Sequence, residues 1–276
     1  MKEVLLVTGS SGFVGRNLVS ALKAEFLLVE GFDDNYLKVK DWKNSLIDKL
    51  NSINPSTIFH VGACSNTLEQ NVQYMMIHNY ESTKVITDWC LLHNRQIIFS
   101  SSAANYGESG LYPSNLYGWS KYVAEDYVIK SGGVALRYFN IYGPGEEDKG
   151  IMASFLYQSY LKNKSTEKIY LFPGNPLRDF VYIKDVLSAN IYAKQNFNEL
   201  RGRYFEVSTG IASSFEKVLE IFGLPYDYSE VEQIPAGYQF YTCGDSTKWM
   251  SGWNPDYNLN QGIAEYKSYL EKVGNQ

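Results

Sequence analysis

Short apolar runs alternate with segments of helical apolar spacing through the first half of the chain. Residues 4–7 are uninterruptedly apolar, whereas residues 13–22 place apolar side chains at the intervals of one helix face. Further short apolar runs, which predict buried strands, lie at residues 26–29, 56–61, 96–101 and 134–139. Strands that alternate with helices in this way are typical of a parallel sheet covered on both faces.

The alternation weakens after Pro144, where short helical segments mix with Pro and Gly turns. We therefore predict an α/β fold: a Rossmann doubly wound parallel sheet with a smaller, interwoven C-terminal substrate lobe. The dinucleotide-binding domain is expected to comprise residues 1–142 plus 178–209, and the lobe residues 143–177 plus 210–276. Only about twenty residues separate Asp33 from the strand at Ile58, which predicts a trimmed adenosine side of the pocket.

Residues 8–15 follow the first apolar run and carry the glycines of a turn that holds a dinucleotide pyrophosphate. Glycine permits positive φ and lets backbone N–H groups approach phosphate. The N-terminus of the following helix adds partial positive charge. The candidate cofactor-binding residues in this segment are Gly9, Gly12, Phe13, Val14 and Gly15.

An acidic residue follows the predicted second strand. Asp33 lies eighteen residues after Gly15, and an acid about twenty residues after the glycines binds the ribose 2′-hydroxyl in such folds. Asp34 is the alternative for this contact. Both carboxylates would repel a 2′-phosphate, which favours NAD, while Lys38 and Lys40 keep NADP open as a close alternative.

Composition excludes several other functions. The net charge of −5 is spread without basic runs, which argues against nucleic acid or an anionic membrane as partner. No apolar run approaches the about 18 residues of a membrane span. The three cysteines show no metal-like spacing, so we expect no metal site and a reducing, cytoplasmic location.

Three residues form a candidate catalytic group. Ser102 follows a predicted strand, and Tyr117 and Lys121 lie four residues apart on one face of a helix that continues to about Lys130. An ammonium close to a phenol favours the phenolate, which would let Tyr117 exchange a proton with a substrate alcohol. Ser102 would hold the same alcohol oxygen, and Lys121 would reach the nicotinamide ribose.

The chain resembles the extended short-chain dehydrogenase/reductase superfamily of nucleotide-sugar enzymes over nearly its full length. The resemblance rests on residues 8–15, 59–63, 99–107, 117–121, 136–144 and 178–186. Within it, residues 62–67, 73–80, 148–154 and 236–239 are similar to the ADP-L-glycero-D-manno-heptose 6-epimerases. That family oxidises the sugar at C6 with its bound nicotinamide and returns hydride to the opposite face, so no cofactor is consumed.

The resemblance implies further site residues. Lys149 would be a second catalytic acid/base group beside Tyr117. Additional cofactor contacts are implied for Val61, Gly62, Ala63, Asn79 and Ile141, and substrate contacts for Asn140, Phe172, Gly174, Asn175, Arg178 and Tyr238. Arg178 would bind the diphosphate, because a planar guanidinium meets phosphate bidentately. Two substrate-side positions depart from the family: Ile151 replaces a serine, and Gln158 a histidine.

Other functions remain open from the sequence. A UDP- or GDP-sugar 4-epimerase shares Ser102, Tyr117 and Lys121 but needs no Lys149. A dehydratase is disfavoured, because Ser102 is followed by Ala103 and not by an acidic pair. A third hypothesis is a non-catalytic nucleotide-binding module, since a fold does not establish an activity. We expect a homo-oligomer that binds a nucleotide-diphosphate sugar.

Overall fold

A computed structural model describes residues 3–25, 29–171, 174–229 and 239–274. Its strands are β1 (Leu5–Thr8), β2 (Val29–Phe32), β3 (Thr57–His60), β4 (Gln96–Ser102), β5 (Val134–Tyr138), β6 (Asn140–Tyr142), β7 (Tyr170–Leu171), β8 (Leu177–Tyr182), β9 (Arg203–Val207), β10 (Ala212–Ser214), β11 (Asp227–Tyr228) and β12 (Tyr241–Thr242).

The α-helices are α1 (Phe13–Glu25), α2 (Trp42–Ile53), α3 (Val72–Met76), α4 (Ser82–Leu92), α5 (Leu116–Lys130), α6 (Phe155–Lys164), α7 (Ile183–Gln195), α8 (Phe197–Leu200), α9 (Phe215–Phe222) and α10 (Leu259–Gly274). Short 3-10 helices occupy Asp34–Lys38, Ala103–Tyr106, Glu147–Met152 and Ser246–Lys248, and a π turn occupies Ile77–Glu81. Among the described residues, no helix has the length and apolar content that a bilayer crossing requires.

The central sheet has six parallel strands within the described ranges, in the order β2-β1-β3-β4-β5-β9. Strand order reverses between β1 and β3, and ligands of doubly wound sheets bind at the carboxyl ends of the strands that flank such a reversal. Strand β2 is an edge of this sheet. The adenosine side therefore has one strand fewer than the common dinucleotide order, as the short connection from Asp33 predicts.

Each face of the central sheet is covered by its own apolar core. Along β1, Leu5 and Val7 pack in one core and Leu6 in the other, and all three side chains are buried. Helices α2, α4 and α5 cover the face of Leu6, and α1 and α7 cover the opposite face. Strands buried on both faces have continuous apolar sequences, which is why the strands of this sheet could be predicted.

A smaller sheet lies beyond the central one. Strand β8 pairs with β6 and β12 in parallel and with β10 antiparallel. The short strands β7 and β11 form a separate parallel pair. Strand β8 pairs within the smaller sheet, whereas β9 is a strand of the central sheet and α7 packs on that sheet. The division of the chain into two parts remains a prediction.

Strand β2 is described only over the second part of the region predicted for it. The sequence predicted a strand at residues 26–29, and residues 26–28 lie outside the described part of the chain. The observed strand begins at Val29 and pairs through Phe32 with Thr8 of β1. Glu30 and Gly31 interrupt the apolar pattern, because an edge strand needs less apolar surface than a central one.

Candidate active site

The glycine turn lies at the carboxyl end of β1, beside the strand-order reversal. Gly9 adopts φ +65°, and a Cβ there would stand 2.6 Å from the Cα of Gly62 in the loop after β3. At Gly15 a Cβ would stand 2.0 Å from the Gly9 carbonyl oxygen, so only glycine lets α1 pack this closely against the turn. These glycines therefore set the path of the backbone.

Gly12 has a different role from the other two glycines. It is exposed, and among the described residues an added Cβ would approach only the Gly9 carbonyl oxygen, at 3.3 Å. That Cβ would occupy the open space in front of the first turn of α1, where helix N–H groups bind anions. The turn thus leaves a cradle for a pyrophosphate, and these residues fit a bound dinucleotide.

Asp33 follows β2 directly and faces the glycine turn. Its carboxylate accepts hydrogen bonds from Ser11 N at 3.0 Å and from Ser10 Oγ at 3.2 Å. The predicted acid is therefore at the carboxyl end of the second strand, in the position that reaches an adenosine ribose. The Asp34 side chain lies outside what the structure describes.

The loop after β3 is held by a buried amide. Asn79 is 1% exposed, and its Oδ1 accepts from Cys64 N at 2.7 Å while its Nδ2 donates to Cys64 O at 3.0 Å and to Ser120 Oγ at 2.9 Å. Asn79 therefore connects the loop of Val61, Gly62 and Ala63 to α5. In this structure its side chain positions the cofactor loop from behind.

Ser102 and Tyr117 are brought together at the end of β4. The Tyr117 side chain forms a hydrogen bond with Ser102, and the thiol of Cys64 lies near it. Helix α5 starts where it does because the Asn115 side chain caps it, accepting from Gly118 N at 2.8 Å. This cap places Tyr117 in the first turn of the helix.

Lys121 lies one helical turn after Tyr117, as predicted. It is 2% exposed, and its ammonium stands 4.1 Å from the centre of the Phe99 ring. Burial lowers the pKa of Lys121 to about 7, against the opposing charge of Glu125. We expected this ammonium to lower the pKa of Tyr117, but burial raises that pKa, and the Ser102 hydrogen bond only partly offsets it. Desolvation of the phenolate therefore sets the direction of this shift in the free protein.

Lys149 lies in the loop that joins β6 to α6. Its side chain is half-buried, with the ammonium 5.1 Å from the centre of the Phe13 ring at the start of α1. Burial lowers the pKa of Lys149, and the nearby Glu146 carboxylate opposes that shift. The sequence alone also fitted a surface lysine in an acidic turn; the structure instead places Lys149 against the helix that begins the cofactor cradle.

The two departures from the family contact each other, with Ile151 in the loop that carries Lys149 and Gln158 in the first turns of α6. The Gln158 side chain donates to Ile151 O at 2.9 Å and to Ala153 O at 2.8 Å, so it braces the loop in this structure. The Ile151 side chain is 74% exposed. The Ile151 side chain has no hydrogen-bonding group, whereas a serine at this position would offer a hydroxyl.

The remaining substrate-side residues lie around β8. Arg178 is buried, with its guanidinium 5.9 Å from the Phe215 ring centre and Nη1 donating to Leu177 O at 3.0 Å. Gly174 has φ +105°. Asn175 lines a cavity of 280 Å³ together with Phe155, Lys162, Tyr170, Leu171, Pro176, Phe215 and Glu216. Phe172 and Tyr238 lie outside the described residues. Asn140 is exposed and Ile141 half-buried, and both lie in β6.

Residues 5–208 match the family of NAD dependent epimerases and dehydratases. The chain belongs to this family. Membership confirms the predicted enzyme class, the NAD cofactor and the Rossmann fold, and it disfavours a module without catalysis. An ADP-L-glycero-D-manno-heptose-6-epimerase of Brachyspira hyodysenteriae is 34% identical to this chain. The alignment covers 98% of this chain and 99% of the relative.

Solved structures of the family have the same fold. The Helicobacter pylori ADP-L-glycero-D-manno-heptose-6-epimerase is 25% identical, with a TM-score of 0.81 over 98% of this chain and 96% of the other. The Bacillus cereus UDP-glucuronic acid 4-epimerase, solved with UDP-glucuronic acid and NAD, also gives 0.81 at 18% identity, over 98% of this chain and 99% of the other.

Three buried polar residues near the candidate site were not predicted to have a role there. His60 ends β3 and lies between two threonine hydroxyls. Glu146 binds the Lys149 loop, and Glu125 on α5 pairs with Arg137 of β5. For His60 and Glu125 the usable signal was a charged or polar residue inside an apolar segment, which is unfavourable unless it has buried partners. The acidic run around Glu146 gives no such signal.

Proposed function

We propose that this chain is an ADP-L-glycero-D-manno-heptose 6-epimerase, which inverts C6 of an ADP-heptose. The observation that carries the proposal is a second basic group at the cradle. Besides the Tyr117 and Ser102 pair, Lys149 stands over Phe13 at the start of α1. An epimerase that returns hydride to either face needs a proton-exchanging group for each face. The 34% identity to a heptose 6-epimerase over nearly both full chains supports this substrate.

Each residue has a defined task in this reaction. Bound NAD supplies the hydride acceptor and donor, so a sugar carbinol is oxidised and then reduced without net consumption. Tyr117 exchanges a proton with the substrate oxygen, and Ser102 hydrogen-bonds that oxygen. Lys121 would donate to the ribose of the dinucleotide. Lys149 exchanges the proton when the sugar presents its other face.

The lowered pKa of Lys149 suits proton exchange. A general acid/base works best with a pKa near the working pH, and burial moves this lysine downward from its ordinary value. The pKa of Lys121, about 7, lets it interconvert between ammonium and amine at neutral pH. Both lysines are therefore tuned by the desolvation that the fold imposes.

We place the nucleotide along β8. Arg178 would bind the diphosphate, with Asn140, Gly174 and Asn175 along the same groove. The 280 Å³ cavity beside Asn175 has the aromatic walls and few polar groups that suit a base. On the cofactor side, the pyrophosphate of NAD would lie against Gly9, Gly12, Phe13, Val14 and Gly15. Asp33 would bind the ribose. The remainder of the dinucleotide would lie along Val61, Gly62, Ala63 and Ile141.

The test follows C6 directly. Purified protein with no added nicotinamide is incubated with ADP-D-glycero-D-manno-heptose, and the sugar is followed by NMR. We expect the L-glycero product without net NADH. In Lys149→Met we expect the rate to fall about 10²-fold or more, while the bound cofactor stays. Lys164→Met, a lysine at the end of α6, is the matched control.

A 4-epimerase is the second candidate, favoured by the Ile151 side chain, which offers no hydrogen bond to a sugar hydroxyl. Conversion of a UDP- or GDP-sugar at C4, with Lys149→Met as active as the native protein, would replace the first proposal by this one. Homo-oligomeric assembly, a cytoplasmic location and the two-part domain division remain predictions. Light scattering, fractionation and limited proteolysis test them in turn.

A further inference from the structure

We propose that Glu146 is the positioning residue for Lys149: its buried carboxylate closes the loop that carries this lysine and fixes the ammonium beside the cofactor cradle. The inference rests on the proposed function, because it assigns Glu146 to the proton exchange of Lys149.

Glu146 binds both ends of the loop at once. It is fully buried, and its Oε1 accepts from Gly143 N at 3.3 Å, near the loop start, and from Ser154 Oγ at 2.7 Å, near the loop end. The Ser154 backbone N–H donates to Oε2. Burial raises the pKa of Glu146, and the hydrogen bonds that its two oxygens accept oppose that shift by stabilising the ionised carboxylate.

Helix α10 contributes a further donor. The Tyr266 hydroxyl donates to Glu146 Oε1 at 3.0 Å, and the Tyr266 side chain is fully buried. Ser154 is also the N-cap of α6, accepting from Tyr157 N at 3.2 Å. One carboxylate therefore joins the loop to two helices. The Lys149 backbone N–H also donates to Glu146 O at 3.1 Å, so Glu146 and Lys149 belong to the same backbone turn.

The two neighbouring acids hold the loop from outside. Glu147 Oε1 accepts from the Tyr269 hydroxyl at 3.0 Å. Asp148 pairs with Arg16 of α1 at 2.6 Å, and its side chain is largely exposed. These contacts are solvent-accessible and contribute less than a buried one. Of the three successive acids, Glu146 alone is fully buried, so we expect it to dominate the position of the loop.

The charges around Lys149 come from four elements. The titratable and charged groups that face the loop are Glu146, Glu147 and Asp148 within it, Arg16 on α1, Tyr157 on α6, and Tyr266 and Tyr269 on α10. Among them, Glu146 is the group whose charge raises the pKa of Lys149 against the effect of burial. Removal of that charge would lower the pKa of Lys149 further.

The test compares Glu146→Gln with Glu147→Gln. Both remove one carboxylate charge from the same loop and both residues accept from a tyrosine of α10. We expect Glu146→Gln to lower kcat for C6 epimerisation by about 10- to 100-fold, since a small misplacement of a reacting group has effects of this size. KM should stay within about twofold, and Glu147→Gln should remain near the native rate.

A second comparison separates positioning from general damage. In the Lys149→Met background, Glu146→Gln should cause no further loss, because residues that act as one unit are non-additive. The limb of the pH profile of kcat that disappears in Lys149→Met should move to lower pH in Glu146→Gln. If Glu146→Gln does not fold, Tyr266→Phe, which removes one hydrogen bond and no charge, should show the same non-additivity.

Four outcomes overturn the inference alone. These are a native-like rate in Glu146→Gln, equal losses in Glu146→Gln and Glu147→Gln, a Glu146→Gln loss that adds in full to that of Lys149→Met, and a Tyr266→Phe loss that does so. The proposed function fails separately: if Lys149→Met keeps the native rate of C6 inversion, both proposals fall. If Lys149→Met is inactive and Glu146→Gln is native-like, only the inference falls.

Discussion

The Thr8 hydroxyl and Nδ1 of His60 lie 2.7 Å apart between the ends of β1 and β3. Gly62 N donates to the same hydroxyl at 3.0 Å, and Thr83 Oγ1, which donates to Asn79 O, lies 2.8 Å from His60 Nε2. The network assigns the proton of a neutral imidazole to Nε2, which donates to Thr83, while Nδ1 accepts from Thr8. His60 thereby connects the strand ends on which the cofactor turn rests.

This neutral histidine makes stability depend on pH. Burial, with a smaller effect of Lys121, lowers the pKa of His60 from 6.5 to about 3. Between these values the unfolded chain binds a proton that the folded protein does not, so stability rises with pH and falls on acidification. From pH 6.5 to pH 5 we expect a loss of about 1 to 2 kcal/mol from this residue.

Urea unfolding of the native protein and of His60→Gln at these two pH values checks the prediction. The variant should lose less stability on acidification, because glutamine has no proton to take up. His93→Gln is the control, since His93 lies exposed at the end of α4. Parallel losses in the native protein and in His60→Gln would show that His60 is not the linked group.

Tyr117→Phe should lower the rate of epimerisation by about 10²- to 10⁴-fold, the usual contribution of a general acid/base group. Cofactor binding should persist, because the glycine turn is unchanged. Turnover by NMR and bound NADH by fluorescence measure the two effects. Tyr122→Phe on the same helix is the control. Activity of Tyr117→Phe within about tenfold of the native protein would remove Tyr117 from the reaction.

The sequence predicted the relative placement of Tyr117 and Lys121 better than the environment around them. Tyr117 and Lys121 fall on one face of α5 because helical periodicity is local. The direction of the Tyr117 pKa shift was wrong, because it depends on burial, and burial is set by packing between distant segments. In the sequence, Glu146 is one of three successive acidic residues, and no local sequence feature indicates which of the three side chains is buried.

Asp33 should decide between the two nicotinamide cofactors. Its carboxylate faces the glycine turn, accepting from Ser10 and Ser11, and a negative charge there repels a 2′-phosphate. In Asp33→Asn we expect NADH affinity to fall about tenfold and the preference over NADPH to shrink, as a charged hydrogen bond is lost. Calorimetric titration with each nucleotide measures this change.

Asp34→Asn tests the alternative that the sequence left open. If Asp34→Asn, and not Asp33→Asn, weakens NADH binding, the ribose contact belongs to the neighbour. Asp41→Asn, at an exposed position before α2, should change neither affinity. Spacing from the glycines is what singles out Asp33 in the sequence, and the structure has it directly after β2; its contact with the ribose remains a prediction.

Arg137→Met should destabilise the protein by about 3 to 5 kcal/mol, the range for removing one partner of a buried ion pair. Arg137 Nε donates to Glu125 Oε2 at 2.8 Å, and the guanidinium lies 3.7 Å from the Tyr204 ring centre. Without it, the hydrogen-bond donors to Glu125 among the described residues are the neutral side chains of Ser101 and Asn105. The double variant with Glu125→Met should regain most of the loss in urea unfolding, because the unpaired buried charge is the source of the instability. A double variant less stable than Arg137→Met would instead show that Glu125 stabilises α5 through its neutral partners.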